Sequence, residues 1–268
     1  MRASANRSTV RSGRSGGCYR SVSCAGNIAE VFVSIQGEGI FVGVLQVFVR
    51  TSGCSRSCVY CDTPGARGVA ARCVLQCDGE TRYADNPVDA ADIVSCVRSL
   101  AVIHPGIHSV SVTGGEPLEQ SDFCAGLLPR LRALGLPVYL ETNGLEESAC
   151  RAVARYVDIV SLDIKLPSLC GGGDHRATYR RVLPLFASSN LFTKVVVTGE
   201  EDSSEFAEAV GLVAAIDRSL PFVIQPAHRE EPASRIRAPQ LLQYYDTAAA
   251  HLDDVRVIPQ CHRMLEIP

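Results

Sequence analysis

Gly53-Cys54-Ser55-Arg56-Ser57-Cys58-Val59-Tyr60-Cys61 places three cysteines in one short loop with the spacing C-x3-C-x2-C. Three thiolates this close can converge on a single inorganic site. The run directly before them, Leu45–Arg50, is rich in β-branched and aromatic residues and predicts a strand. The same grammar recurs along the chain. Ser109–Thr113, Pro137–Thr142, Asp158–Ile164, Phe192–Thr198 and Phe222–Gln225 read as further strands, and a last short run is Val255–Pro259. Between several of them lie stretches with helical spacing: Ala90–Leu100, Asp122–Leu134, Glu146–Tyr156 and Glu205–Ile216. Strand–helix alternation implies an α/β protein with a parallel sheet and helices outside it. Six such units are fewer than the eight of a closed barrel, so a partial (β/α)6-type, TIM-like barrel is expected, with an open doubly wound sheet as the alternative.

In either architecture the chemistry lies at the C-terminal ends of the strands. The unusual residues follow those ends: the cysteine loop after the first run, Gly114–Pro117 after the second, Asn143–Gly144 after the third, Lys165 after the fourth and Pro226–His228 after the sixth. A structural zinc takes four protein ligands. The candidates for a fourth, Cys73 and Cys77, stand 12 and 16 residues beyond Cys61, across a loop containing Gly and Arg. Three cysteines alone suit a cubane iron–sulfur cluster whose remaining iron stays open. In Thr113-Gly114-Gly115-Glu116-Pro117, paired glycines let the backbone approach a ligand, and Glu116 can accept from a ligand ammonium.

The wider composition is consistent with an enzyme. The chain has 268 residues, 46% hydrophobic and 21% charged, a globular mixture with enough length for a sizeable core. Its net charge of −3 gives no overall basic field for nucleic acid or an anionic membrane, and no apolar run has the ~18 residues of a spanning helix. Twelve cysteines in a chain this long, opening without an apolar signal segment, point to metal or redox chemistry in a reducing compartment rather than to a disulfide scaffold. Of the 26 basic residues only Lys165 and Lys194 are lysine, an asymmetry that genomic composition bias accounts for and against which a retained lysine such as Lys165 is a candidate for a chemical role. Residues 1–27, with five arginines and no acid, read as a disordered extension in which Cys18 and Cys24 are free thiols. Such a start resembles an organelle transit peptide and equally an extended start of a bacterial protein. Residues 28–268 read as one core domain. The insert between Gly65 and Asn86 reads as a variable loop, a candidate lid, and Gly171–Gly173 as a hinge. Cys73, Cys77, Cys96, Cys124, Cys150, Cys170 and Cys261 share no ligand spacing and are taken as structural.

The cysteine triad after a strand, together with the Gly-Gly-Glu-Pro turn, resembles the radical S-adenosylmethionine superfamily. More narrowly, Glu30 to Pro268 resembles the 7-carboxy-7-deazaguanine synthase family. The residues that carry this are Ser34-Ile35-Gln36-Gly37-Glu38-Gly39, Arg50, Gly53, Cys61-Asp62-Thr63, Glu141-Thr142-Asn143-Gly144, Asp163-Ile164-Lys165-Leu166-Pro167-Ser168, Gln225-Pro226 and the ending from Gln260. The resemblance implies a 4Fe–4S cluster on Cys54, Cys58 and Cys61, with S-adenosylmethionine on the open iron. One electron then cleaves that cofactor to a 5′-deoxyadenosyl radical. The implied reaction is ring contraction of 6-carboxy-5,6,7,8-tetrahydropterin to 7-carboxy-7-deazaguanine with loss of ammonia, a carbon–nitrogen lyase step toward queuosine and other 7-deazapurines.

By the same resemblance, the cofactor contacts are Tyr60, Cys61, Asp62, Gly115, Glu116, Asn143, Asp163, Ile164, Lys165, Gln225, Pro226, Ala227 and His228. Relatives often carry Ser-Pro-Lys where Asp163 stands and an acid where His228 stands. The implied substrate contacts are Ile35, Gln36, Gly37, Arg50, Thr113, Glu141, His262 and the carboxylate of Pro268, and Thr63 holds Mg2+. Arg50 suits a forked grip on the substrate carboxylate, with a strand-end salt bridge as the competing reading. The apolar Met264–Leu265 and Ile267–Pro268 suggest a packed tail. An electron donor such as flavodoxin or ferredoxin, a homodimer and a cytoplasmic location follow from the resemblance. The rival readings are another radical S-adenosylmethionine enzyme, such as a glycyl-radical activase, and a non-catalytic iron–sulfur or zinc protein.

Overall fold

The computed structural model describes residues 24–228 and 236–268. The expectations for residues 1–23, Cys18 among them, lie outside this range. All but the last of the apolar runs become strands because most of their side chains are buried on both faces, as a parallel sheet covered by helices demands, whereas the last, also a strand, lies at the sheet edge and is largely exposed. These strands are β3 (Leu45–Thr51), β7 (Ser109–Gly114), β8 (Val138–Thr142), β9 (Ile159–Asp163), β10 (Asn190–Val197), β11 (Phe222–Pro226) and β12 (Val255–Val257). All seven are parallel and adjacent. The connecting helices are α1 (Ala90–Ile103), α2 (Ser121–Arg132), α3 (Glu147–Val153), α4 (Pro167–Cys170), α5 (Arg176–Val182), α6 (Ser203–Ile216) and α7 (Ala238–Ala249), and α8 (Cys261–Leu265) ends the chain. Asp89 and Asp202 cap α1 and α6, their carboxylates accepting from Ala91 and Ser204 N–H.

Among the described residues the main sheet has ten strands in the order β12-β11-β10-β9-β8-β7-β3-β2-β4-β5, running open from edge to edge as a partial barrel does. Three of these extend it beyond the expected set. β2 (Ile28–Ile35) lies antiparallel to β3, and the hairpin β4 (Arg72–Cys77) and β5 (Glu80–Asp85) adds to β2. Residues 65–86 are therefore largely sheet edge and not a lid. The expected disordered boundary at Asn27 is also too late: β1 (Ala25–Gly26) pairs with β6 (Val88–Asp89). Cys77 and Cys96 form a disulfide between β4 and α1, their Cα atoms 5.1 Å apart, which departs from the expectation of free structural thiols. Among the described residues, no helix is long and apolar enough to cross a membrane.

Candidate active site

Two loops close the top of the sheet. Gly53 N–H donates to Ala66 O at 2.8 Å and Cys54 N–H to Arg67 O at 3.0 Å, folding the cysteine loop back on itself. The turn after β7 docks on it through Gly115 N–H to Thr51 O (3.0 Å) and Glu116 N–H to Gly53 O (2.8 Å). A Cβ on Gly115 would sit 2.1 Å from Gly53 O, and Gly114 has φ +92°, so both positions require glycine. Beside these loops opens a cavity of about 550 Å³, in the range of small-molecule sites.

Cys54, Cys58 and Cys61 all line this cavity. Three thiolates on one loop facing one cavity suit a cluster with an open iron better than a structural zinc, which takes four protein ligands. The Cys58 thiol is pulled well below its ordinary value, first by a hydrogen bond from Cys170 and then by the nearby Lys165 charge, which makes it a ready thiolate ligand. Cys170 was expected to be merely structural, yet its Sγ also lies 3.1 Å from Tyr60 Oη, and Val59 N–H donates to Leu169 O at 2.9 Å. The Lys165 ammonium stands 5.5 Å over the Tyr60 ring and 3.0 Å from Asp163. Gln225 lines the same cavity with its Oε1 buried and unpartnered, a free acceptor for a ligand donor. Thiolate triad, acidic and cationic rim and free amide oxygen together fit a 4Fe–4S cluster with S-adenosylmethionine.

Glu116 is 3% exposed, and its carboxylate accepts from Thr142 Oγ1 (2.6 Å), Asn143 N–H (2.8 Å) and Leu118 N–H (3.1 Å). Burial nevertheless pushes its pKa up to about 7. Gly115, Glu116, Asn143, Asp163, Lys165 and Gln225 line the cavity, as do Tyr60 and Asp62. Ile164, Pro226, Ala227 and His228 do not. Ile164 and Ala227 are core residues whose N–H groups bond to β10, Pro226 pairs with Val197 at the end of β11, and the His228 side chain is exposed.

The substrate-type residues gather at the other end of the cavity. Gln36 is buried, not solvated. Its Nε2 donates to Glu141 Oε1 (2.9 Å) and Gln46 Oε1 (3.0 Å), and its Oε1 accepts from Glu38 N–H (3.0 Å). Thr113 Oγ1 donates to Glu141 Oε2 at 3.1 Å. Burial pushes the Glu141 pKa upward while the Lys194 charge opposes it. Arg50 takes the salt-bridge alternative at Nε, 2.8 Å from Glu30, and lies 5.2 Å over the Phe32 ring while still lining the cavity. Ile35, Gly37, Thr63, His262 and Pro268 line it too.

The chain end is stitched to this region. Cys261 N–H donates to Gly37 O (2.8 Å), Ser34 Oγ to a terminal oxygen of Pro268 (3.2 Å), and Arg263 Nη2 to Asp62 O (2.6 Å). Gln260 Nε2 donates to Glu38 (2.8 Å) and Asp62 (3.1 Å), and His262 Nε2 lies 3.5 Å from Asp62. Hydrogen bonding from His262 and the Lys194 charge hold Asp62 low despite its burial. The expected packing of the tail is partial: Ile267 and Pro268 face the cavity, while Met264 and Leu265 are 70% and 60% exposed. Sequence reading assigned no role to Glu38, Gln260 or Lys194. Lys194 was nonetheless marked as one of two lysines, and the other two lie inside motifs already singled out.

Comparison with known proteins agrees with this geometry. The Radical SAM superfamily pattern matches residues 48–204. The 7-carboxy-7-deazaguanine synthase of Geobacter sulfurreducens is 38% identical, over 89% of this chain and 96% of the relative. That of Methanopyrus kandleri is 34% identical, over 90% and 93%. The crystal structure of QueE from Escherichia coli shares the fold with a TM-score of 0.52 at 20% identity, covering 89% of this chain and 95% of the other. The cysteine triad on its parallel sheet and this near full-length kinship lead to one assignment: the chain belongs to the radical SAM superfamily and, within it, to the 7-carboxy-7-deazaguanine synthase family of lyases.

Proposed function

We propose that the enzyme converts 6-carboxy-5,6,7,8-tetrahydropterin to 7-carboxy-7-deazaguanine and ammonia. The observation that carries this reading is the half-buried Glu141, held by Gln36 and Thr113 in the cavity that the three cysteines also line. A half-buried carboxylate with one amide and one hydroxyl beside it suits a guanidine-like edge, whose N–H groups need acceptors. Arg50 and the Pro268 carboxylate supply charge at the rim, Arg50 for the substrate carboxylate and Pro268 for its ring donors. Asp163, Lys165, Glu116 and Gln225 would hold the cofactor, and Tyr60 would offer its ring to the adenine. When bound, the cluster and S-adenosylmethionine supply the hydrogen-abstracting radical. The protein's part is to orient the pterin's C6 hydrogen and exclude water. Thr63, beside Asp62 at the cavity wall, would hold Mg2+ through its hydroxyl, and the ion would supply polarisation of the substrate. The reading also includes a flavodoxin- or ferredoxin-type electron donor, a homodimer and a cytoplasmic setting.

The test is anaerobic reconstitution with iron and sulfide, then reaction of the reduced enzyme with S-adenosylmethionine, Mg2+ and the pterin, read by mass spectrometry. Both 5′-deoxyadenosine and the deazapurine are expected, and both vanish in Cys58→Ala. Deoxyadenosine without deazapurine would point to a different radical substrate. Absence of both would sink the reading.

A further inference from the structure

The turn after β9 runs against the cysteine loop and touches it at successive points. Val59 N–H donates to Leu169 O at 2.9 Å, and Tyr60 Oη and Cys170 Sγ lie 3.1 Å apart, one donating to the other. Gly171 and Gly172, with φ +64° and +93°, then pass close to the loop: a Cβ on them would meet Ser57 Oγ at 3.5 Å and Arg56 Nη1 at 2.8 Å. The turn has its own anchors in the body of the fold. Lys165 N–H donates to Tyr179 Oη of α5 at 2.9 Å, and Ser168 Oγ donates to Glu205 of α6 at 2.6 Å. Leu169 and Cys170 are both buried in the core.

Tyr60 lines the cavity and is only half-buried, so its ring can turn unless its tip is held. The backbone bond of Val59 fixes the root of the side chain, and the Cys170 sulfur takes the hydroxyl at the other end. The Lys165 ammonium stands 5.5 Å from the ring centroid and 3.0 Å from Asp163. Ring, cation and acid thus form one cluster at the cofactor end of the cavity, and Cys170 ties that cluster to the core.

We propose that Cys170 is a positioning residue for the nucleoside end of the cofactor: anchored through its turn to α5 and α6, it holds the Tyr60 hydroxyl and so fixes the ring offered to the adenine. A ring already in place loses less freedom on binding, so Cys170 contributes nucleoside affinity without touching the nucleoside. The inference rests on the reading that Tyr60 meets the adenine. It adds the group that holds Tyr60 there.

The test measures binding to cluster-loaded enzyme by competition with radiolabelled S-adenosylmethionine. The competitors are 5′-deoxyadenosine for the nucleoside end and methionine for the amino-acid end. Tyr60→Phe keeps the ring and every thiol. In it S-adenosylmethionine and 5′-deoxyadenosine should bind about three- to tenfold more weakly, the loss of one hydrogen bond, while methionine affinity and iron content hold. Cys170→Ala should behave in the same way, and Cys170→Ser should restore most of the affinity. The double variant should bind no more weakly than either single one, because both remove the same contact. Should Cys170→Ala fail to load its cluster, Tyr60→Phe decides alone. Wild-type nucleoside affinity in either loaded variant overturns the inference. Equal loss of methionine and nucleoside binding also overturns it, since that marks a purely structural role. Tyr60→Ala tests the reading beneath it: if 5′-deoxyadenosine binds this variant as it binds wild type, the adenine is not at Tyr60 and the inference falls with the reading. If Tyr60→Ala weakens nucleoside binding at least about tenfold while Tyr60→Phe and Cys170→Ala match wild type, the reading stands and the inference alone is lost.

Discussion

Replacing Glu116 by Gln gives a quantitative check on the electrostatics of the site. The carboxyl is buried, and its pKa is raised from an ordinary 4.5 to about 7 because burial outweighs three hydrogen bonds from neutral donors. A raised carboxyl pKa means that the folded state binds a proton that the unfolded state has released. Stability contributed by this group is therefore intact below pH 4.5, declines between the two values and is fully lost above pH 7. At about 1.36 kcal/mol per pH unit the decline amounts to about 3 kcal/mol, an order-of-magnitude figure. Glu116→Gln removes the titration but sets an amide N–H2 against a backbone or hydroxyl donor, which adds a destabilisation of about 1–3 kcal/mol that does not vary with pH. Urea denaturation of reduced, cluster-free protein at pH 5, 6, 7 and 8, followed by circular dichroism, separates the two effects. Wild type should lose about 2.5 kcal/mol relative to the variant across this range, the rest of the decline falling below pH 5. Parallel pH–stability curves would refute the reasoning, because Glu116 would then be as ionised in the folded chain as in the unfolded one.

The loop packing and the tail make further predictions. Gly115→Ala drives a methyl to within 2.1 Å of Gly53 O, so the two loops must part. The variant should lose about 1–3 kcal/mol in urea denaturation and retain less iron on reconstitution. Cys170→Ala removes the hydrogen bond that chiefly lowers the Cys58 thiol. Iodoacetamide alkylation of Cys58 in cluster-free protein at pH 7, located by mass spectrometry, should slow by about threefold or more; an unchanged rate would exclude the contact. Deleting Glu266–Pro268 removes the Ser34 contact and the terminal carboxylate from the cavity, while Met264 and Leu265 before it are already exposed. Stability should change by less than about 1 kcal/mol, and the substrate KM should rise about tenfold.

The parallel half of the sheet was readable because β3 and β8–β11 open on short β-branched and apolar runs and β7 alternates Ser and Val, patterns that mark strands, each ending in a polar or glycine-rich loop. Their C-terminal ends then placed Cys54–Cys61, Gly114–Pro117 and Asn143 at one edge without further information. The hairpin was not readable. β5, Glu-Thr-Arg-Tyr-Ala-Asp, is exposed almost throughout and carries no apolar alternation, so its strand character comes from pairing with β4. β2 was hidden for a different reason: it directly follows the Ser/Arg-rich segment, and its motif drew attention to the turn after it. The Cys77–Cys96 bond and the Cys58–Cys170 contact join cysteines 19 and 112 residues apart, and no spacing rule anticipates such pairings. Lys194 is the instructive case. Its rarity in an arginine-dominated chain was visible, but it stands inside the apolar run Phe192–Thr198 and beyond every motif, so nothing gave it a role. Its partners Glu38 and Asp163 meet it only once β2, β9 and β10 are assembled. His228 shows the reverse, since a position next to Gln225–Pro226 did not bring its side chain into the cavity.

The central claim is that this cavity presents the C6 hydrogen of the pterin for abstraction. The direct measurement uses substrate deuterated at C6 with reduced, cluster-loaded enzyme and unlabelled S-adenosylmethionine, and reads the mass of the 5′-deoxyadenosine formed. One deuterium transferred into 5′-deoxyadenosine, with formation of 7-carboxy-7-deazaguanine and loss of both in Cys58→Ala, is the predicted result. 5′-Deoxyadenosine that forms at the same rate without deuterium would contradict the account, because the cavity would then hold the substrate with some other position, or some other molecule, facing the radical.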